Sequence, residues 1–208
     1  MANKKKASHD TNAGGISDQE LLDEMQEGTL QLGRKPAPIA ELLTKESVEK
    51  FLFGEITWAQ LMGLSMEEAY NIAEYGYGLY EEARYHDARA VFEALVLANP
   101  YDAYFHNVLG AVYQQLDMQD EALEQYSIAI DLDPEAMHAF VNRGEMLLQN
   151  GQFEQALDDL NTAIKLDKSG ADPAVLRARA LATAAKTVLD GVQRLFGKDL
   201  AKAKEGKR

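Results

Sequence analysis

Small and large residues recur along the middle of this chain with a fixed period. Glycine is found every 34 residues, at Gly76, Gly110 and Gly144. An alanine follows twelve residues after each glycine, and a large apolar residue comes four positions later, which gives Ala88, Ala122 and Ala156, then Phe92, Tyr126 and Leu160. Small residues at matching positions let two helices pack closely. The pattern therefore predicts three pairs of helices, with the small residues at the contact within each pair.

Proline marks the predicted end of each pair. Pro100 and Pro134 close the first two units, and Lys168 takes this place in the third. Proline lacks the amide hydrogen that a helix needs, so it ends the second helix of a pair. A 34-residue period with these features is typical of tetratricopeptide repeats. We therefore predict an all-α fold, a tetratricopeptide-repeat superhelix with three repeats, at residues 69–102, 103–136 and 137–170.

Helices are also predicted before the repeats. Residues 1–15 are polar and lack apolar periodicity, so we expect a disordered tail. Apolar residues at helical spacing then predict an N-terminal helical extension over residues 16–64. Ser65 and Glu68 have the spacing of a capping box, which should open the first helix of the repeat region 65–170.

One further helix is predicted after the repeats. Asp172 is suited to an N-cap and Pro173 to the first turn, so we expect a capping helix over residues 171–197. A stack of repeats has an open apolar end, and such a helix would cover it. Residues 198–208 are rich in lysine and should form a solvated basic tail.

Composition narrows the function. The 208 residues are 46% hydrophobic and 26% charged, as in a globular protein, and there is no cysteine, which excludes disulfides and thiol nucleophiles. The net charge of −13 argues against nucleic-acid binding, which needs clustered lysine and arginine. Without an apolar run of about 20 residues, we expect no membrane insertion and a cytoplasmic location.

The histidines and carboxylates do not have the spacing that catalytic or metal sites require. The four histidines are His9, His86, His106 and His138, and no two have the spacing that places metal ligands on one helix face. His106 occupies a packing position, so we interpret it as a partly buried structural residue. Neighbouring carboxylates on a helix diverge and cannot share a substrate atom. The sequence therefore predicts no metal site, no cofactor and no enzymatic activity.

The repeat frame predicts a concave groove that is lined by the first helix of each pair. Its lining positions are Tyr70, Ala73, Tyr77, Tyr80, Tyr104, Asn107, Ala111, Gln114, His138 and Val141. Tyrosine combines a large rigid ring with one polar tip, which suits the binding of an extended peptide. An alternative is that some of these tyrosines only pack between repeats. Because the set contains no lysine or arginine, we expect apolar segments, flanked by basic residues, rather than a carboxylate clamp.

A lead-in motif precedes the first repeat. Its residues are Gly54, Leu61, Gly63, Leu64 and Ser65, and the pair Tyr101-Asp102 follows the first two helices. Together with the repeats, these residues resemble the class II chaperones of bacterial type III secretion, which bind hydrophobic translocator proteins. The resemblance covers roughly residues 54 to 170.

The resemblance implies an N-terminal apolar segment used in homodimerisation. This fits the apolar residues outside the repeats, and we assign to the interface Leu42, Phe51, Leu52, Trp58 and Leu61. We predict a non-enzymatic secretion chaperone that holds an extended apolar segment of an aggregation-prone client in its groove. The alternative is a general tetratricopeptide scaffold that assembles another bacterial complex.

Overall fold

The computed structural model describes the backbone of residues 39–205 and the side chains of residues 41–196. The predicted disordered tail, 1–15, and the beginning of the predicted extension, 16–38, lie outside these residues. The described chain divides into two compact units, the first ending at Val91 and the second beginning at Phe92.

Every regular element of the described chain is a helix, which confirms the predicted all-α fold. The helices are α1 (Ile39–Leu42), α2 (Lys45–Leu52), α3 (Trp58–Leu61), α4 (Met66–Glu81), α5 (Tyr85–Ala98), α6 (Ala103–Gln115), α7 (Gln119–Leu132), α8 (Met137–Gln149), α9 (Phe153–Leu166) and α10 (Pro173–Glu205). The second helices α5, α7 and α9 begin and end at intervals of 34 residues. No helix among the described residues combines the length and apolarity needed to cross a lipid bilayer.

A capping box starts α4 in the first unit. The Ser65 hydroxyl accepts a hydrogen bond from the Glu68 amide at 3.2 Å, and the Glu68 carboxylate accepts one from the Ser65 amide at 2.8 Å. These bonds satisfy amides that have no partner within the helix. The predicted capping box is confirmed, and the helix begins at Met66, three residues before the predicted repeat boundary.

Successive helices pack on one another in the second unit. Helix α6 packs on α7, α8 packs on both α7 and α9, and α10 packs on α9 and α8. One buried cluster joins α8 and α9 to α10 through Phe140, Val141, Leu160, Ala163, Ala178 and Ala182. The first part of α10 thus covers the last repeat, as expected of a capping helix.

The recurring small and large residues meet within the second and third pairs of helices. A β-carbon built on Gly110 would lie 2.7 Å from Cε1 of Tyr126, and one built on Gly144 would lie 2.9 Å from Cγ of Leu160. Both distances are shorter than non-bonded carbon atoms tolerate. The glycines are therefore required where a large side chain of the second helix lies against the backbone of the first.

The turn after each first helix has the same backbone conformation. Ala83, Asp117 and Gly151 occupy equivalent positions in the three repeats, and their φ angles are 59°, 60° and 73°. This left-handed region strongly favours glycine. Only the third repeat has the residue that this turn prefers.

The final helix is longer than predicted. Helix α10 begins at Pro173 as expected, and Asp172 accepts a hydrogen bond from the Ala174 amide at 2.8 Å. It ends at Glu205, so the prediction that a tail begins at residue 198 was wrong. Alanine and lysine are strong helix formers, and lysine near a helix C-terminus interacts favourably with the helix dipole.

Candidate functional site

Tyrosines cluster on α4 in the first unit. Tyr70 and Tyr77 are exposed, whereas Tyr80 is half-buried. The Tyr77 and Tyr80 rings stack with centroids 5.8 Å apart, and Tyr80 meets Tyr85 edge-on at 5.5 Å. The helix therefore presents aromatic surface supported by ring contacts. Ala73, predicted to line the same surface, is buried and lies in the core instead.

A cavity of about 320 Å³ lies beside α6 and α8 in the second unit. It brings together three of the predicted site residues, Tyr104, Asn107 and His138. The remaining lining residues are Ala103, Asp133, Glu135, Ala136, Met137 and Ala139. The Tyr104 side chain, which is 41% exposed, contributes the aromatic part of this surface. We call this space the tyrosine cavity.

Hydrogen bonds hold the polar residues of the tyrosine cavity in place. Asp102 caps α6 by accepting a hydrogen bond from the Tyr104 amide at 3.0 Å. The Asn142 side chain of α8 donates to the Asn107 oxygen of α6 at 3.2 Å. His138 is exposed, and its Nε2 lies 3.5 Å from the Asp172 carboxylate. The tyrosine and the amide are thus positioned on helices before any ligand binds.

Three further predicted lining residues are placed differently by the packing. Val141 is completely buried, because it packs with Ala178 and Ala182 of α10, so its assignment to the groove was wrong. Ala111 and Gln114 are half-buried, and the Gln114 side-chain oxygen accepts a hydrogen bond from the Tyr126 hydroxyl at 2.9 Å.

Sequence reasoning missed three residues that line the cavity, which are Asp133, Glu135 and Met137. They lie in the α7–α8 connection and the first turn of α8, outside the positions that the repeat frame assigns to the groove. These residues could have been predicted from their proximity in sequence to His138, because residues just before a lining position reach the same opening.

His106 has the structural role predicted for it. It is buried, with Nδ1 2.7 Å from the Gln125 side-chain oxygen and Nε2 3.1 Å from the Pro100 carbonyl oxygen. It therefore links α6 to α7 and to the preceding loop. No group of three or more histidine, aspartate or glutamate residues suited to a metal ion is found in the part of the chain described here.

Comparisons with known proteins decide the family. A model of the tetratricopeptide repeat matches residues 120–173. The type III secretion chaperone SycD of Yersinia enterocolitica, solved with a peptide of the translocator YopD, is 27% identical, with a TM-score of 0.55 over 60% of this chain and 96% of SycD. PcrH of Pseudomonas aeruginosa, solved with the chaperone binding region of PopD, is 30% identical, with a TM-score of 0.51 over 64% of this chain and 96% of PcrH.

This chain covers most of the length of one curated relative. Low calcium response locus protein H of Yersinia pestis is 31% identical over 120 residues, which are 58% of this chain and 71% of the relative. This chain belongs to the class II chaperone family of type III secretion. Membership in this family of tetratricopeptide-repeat chaperones favours the chaperone over the general scaffold that the sequence left open.

An apolar surface lies on the first helices of the chaperone. Leu52 and Phe53 are 72% and 79% exposed, and Leu43 and Trp58 are exposed as well. The Trp58 ring meets Phe51 edge-on at 5.7 Å. We call Leu43, Leu52, Phe53 and Trp58 the N-terminal apolar patch.

Three residues predicted for the dimer interface are less accessible than the N-terminal apolar patch. Leu61 is buried, so its assignment to the interface was wrong, and Leu42 and Phe51 are half-buried. The helical period explains the error, because an apolar residue on a short helix can face either the core or the solvent.

A partly buried ion pair ties three helices together in the second unit. Arg143 on α8 donates two hydrogen bonds to Asp159 on α9, at 2.7 and 2.8 Å, and one to Ser127 on α7 at 3.1 Å. The hydrogen bonds to Asp159 raise the pKa of Arg143 above its ordinary value. A second cavity, of about 410 Å³, lies beside this pair. The sequence did not reveal the pair, because its residues lie on different helices.

Proposed function

We propose that this chaperone binds an extended apolar segment of a translocator-like secreted client in the tyrosine cavity. The observation that carries the proposal is the meeting of Tyr104, Asn107 and His138 at one cavity. Its solved relatives SycD and PcrH hold translocator segments. In the cell, the client would be bound in the cytoplasm, before its export.

The chemistry of the cavity suits a peptide rather than a reaction. An exposed tyrosine ring offers apolar area at little cost in side-chain entropy, because the ring is rigid. An amide side chain such as that of Asn107 both donates and accepts hydrogen bonds, so it can pair with the backbone of an extended segment. The proposal therefore assigns to these residues the holding of a client and no catalytic step.

Substitution of Tyr104 tests the site. We expect Tyr104→Ala to weaken binding of the client about 10-fold, since buried aromatic anchors carry a large share of interface energy. The client is first identified by co-purification from the native cell and mass spectrometry. Its affinity for the wild type and the variant is then measured by isothermal titration calorimetry.

Tyr101→Ala is the matched control. Tyr101 is also exposed, but it does not line the tyrosine cavity. Both variants should retain wild-type helicity by circular dichroism. Equal affinity of Tyr104→Ala and wild type would contradict the assignment of the site.

We also propose that the chaperone forms a homodimer through the N-terminal apolar patch. Large exposed apolar surfaces on soluble proteins mark interaction sites. The solved relative SycD has been described in an alternative dimer, which supports self-association within the family.

A further inference from the structure

The tyrosine cavity has an acidic rim. Asp133 and Glu135 line it together with Tyr104, and both carboxylate-bearing residues are exposed. Asp133 accepts a hydrogen bond from the Glu135 amide at 2.9 Å, which holds the α7–α8 connection in a turn. The two acidic side chains are therefore placed at one opening by the fold of the loop.

No lysine or arginine is among the residues that line this cavity. Neither Asp133 nor Glu135 forms an ion pair with another residue of the described chain. His138, which shares the cavity, lies beside Asp172 instead. The cavity consequently offers two negative charges to whatever enters it.

The aromatic ring distinguishes this opening from an ordinary acidic loop. Two exposed carboxylates alone would indicate only a solvated turn. Here they line an open cavity of about 320 Å³ together with Tyr104 and Met137. An ammonium or guanidinium group is attracted both by carboxylates and by the face of an aromatic ring, and its methylene stem packs on apolar surface.

We propose that the tyrosine cavity accepts a lysine or arginine side chain that adjoins an apolar anchor of the client, with its charge between Asp133 and Glu135 and its stem on Tyr104. This inference rests on the proposed binding of a client peptide and adds its specificity. The required client feature is thus an apolar residue next to a basic one. A purely apolar segment would leave the acidic rim without a partner.

Selection from a random dodecapeptide phage library tests the specificity without knowledge of the client. The full-length wild type is compared with the double variant Asp133→Asn/Glu135→Gln and with Tyr104→Ala. Peptides selected by the wild type should be enriched in an apolar residue beside lysine or arginine. The double variant should keep the apolar enrichment and lose the basic one, whereas Tyr104→Ala should lose both.

The outcomes separate the two proposals. If the wild type selects apolar peptides without a basic preference, the acidic-rim inference is overturned and the chaperone proposal stands. If it selects no peptide at all, both proposals are overturned. Circular dichroism of each variant shows whether a loss of selection reflects a loss of fold.

A synthetic peptide from the selection gives the size of the effect. Replacing its basic residue by norleucine should weaken binding to the wild type about 3- to 10-fold at low salt, and added salt should reduce this difference. The replacement should have no effect on binding to Asp133→Asn/Glu135→Gln. An equal loss in that variant would assign the basic residue to another surface.

The control variant Asp120→Asn/Glu121→Gln removes two charges from the first turn of α7, where both residues are exposed and neither lines the cavity. Its net charge equals that of the cavity variant. It should bind the selected peptide as the wild type does. The same loss of affinity in both double variants would mean that binding depends on the total charge of the protein. That result would overturn the specific role proposed for Asp133 and Glu135.

Discussion

Glycine at position 110 leaves room for the ring of Tyr126. The ring is completely buried, and its hydroxyl donates a hydrogen bond to Gln114 on the same helix as the glycine. A methyl group in this place would push against the ring carbons rather than against a flexible side-chain end. The contact therefore sets how closely α6 and α7 approach each other.

Gly110→Ala should consequently destabilise the chaperone. We expect a loss of about 1–3 kcal/mol in the free energy of unfolding, which is typical of overpacking a well-packed contact. Urea unfolding followed by circular dichroism measures it.

Gly191→Ala is the control for this substitution. Gly191 lies within α10, and a β-carbon there meets no atom within 4 Å. Alanine should therefore stabilise the helix, by up to about 1 kcal/mol, because it has the higher helix propensity. If both substitutions shift stability in the same direction, the close contact at Gly110 is not what determines the effect.

At the scale of single residues, the sequence predicted contacts that the repeat period imposes. The pairing of Gly110 with a large residue on the next helix follows from that period, and so does the packing role of His106. The burial of Val141 does not, because it depends on α10, which comes from outside the repeats. Ion pairs between helices, such as Arg143 with Asp159, leave no periodic trace.

At the scale of helices, the turn after each first helix has the same backbone conformation in all three repeats but a different residue in each. Ala83 and Asp117 adopt the left-handed conformation that Gly151 adopts with less strain. Aspartate tolerates this region better than alanine does. The strain is therefore greatest after α4.

Ala83→Gly should stabilise the first turn, by about 0.5–1 kcal/mol, because the left-handed conformation costs glycine nothing sterically. Gly151→Ala should destabilise the third by a similar amount. Thermal unfolding monitored by circular dichroism measures both. Ala90→Gly, at an exposed position inside α5, is the control and should cost about 1 kcal/mol. A loss of stability in Ala83→Gly would refute strain at this turn.

Helix boundaries were predictable where a local signal exists. Ser65 and Glu68 mark the beginning of α4, and Asp172 with Pro173 marks that of α10, since both signals act through the first turn alone. The end of α10 has no such signal. Residues 198–205 were interpreted by their charge, but their alanines and lysines also favour a helix.

At the scale of the whole molecule, the chaperone exposes apolar side chains that a lone protomer gains nothing by exposing. Leu52 and Phe53 are the clearest examples, and they lie together at the end of α2. We therefore expect a dimer at micromolar concentration in sedimentation velocity. Leu52→Asp/Phe53→Asp should sediment as a monomer, because two carboxylates would be buried in the interface.

The control for the dimer is Leu97→Asp. Leu97 is 77% exposed, yet it lies outside the N-terminal apolar patch. This variant should sediment as the wild type does. A monomeric wild type, or a double variant that still dimerises, would contradict the proposed interface.

The length of α10 has a practical consequence. Among its described side chains, Ala185 is the last buried one, and the helix continues to Glu205. At 1.5 Å per residue this continuation extends about 30 Å along the helix axis. An affinity tag or a fluorophore joined to the C-terminus would thus be held away from the packed repeats. This end of the chain is the natural point of attachment for immobilising the chaperone while its tyrosine cavity stays open to peptides.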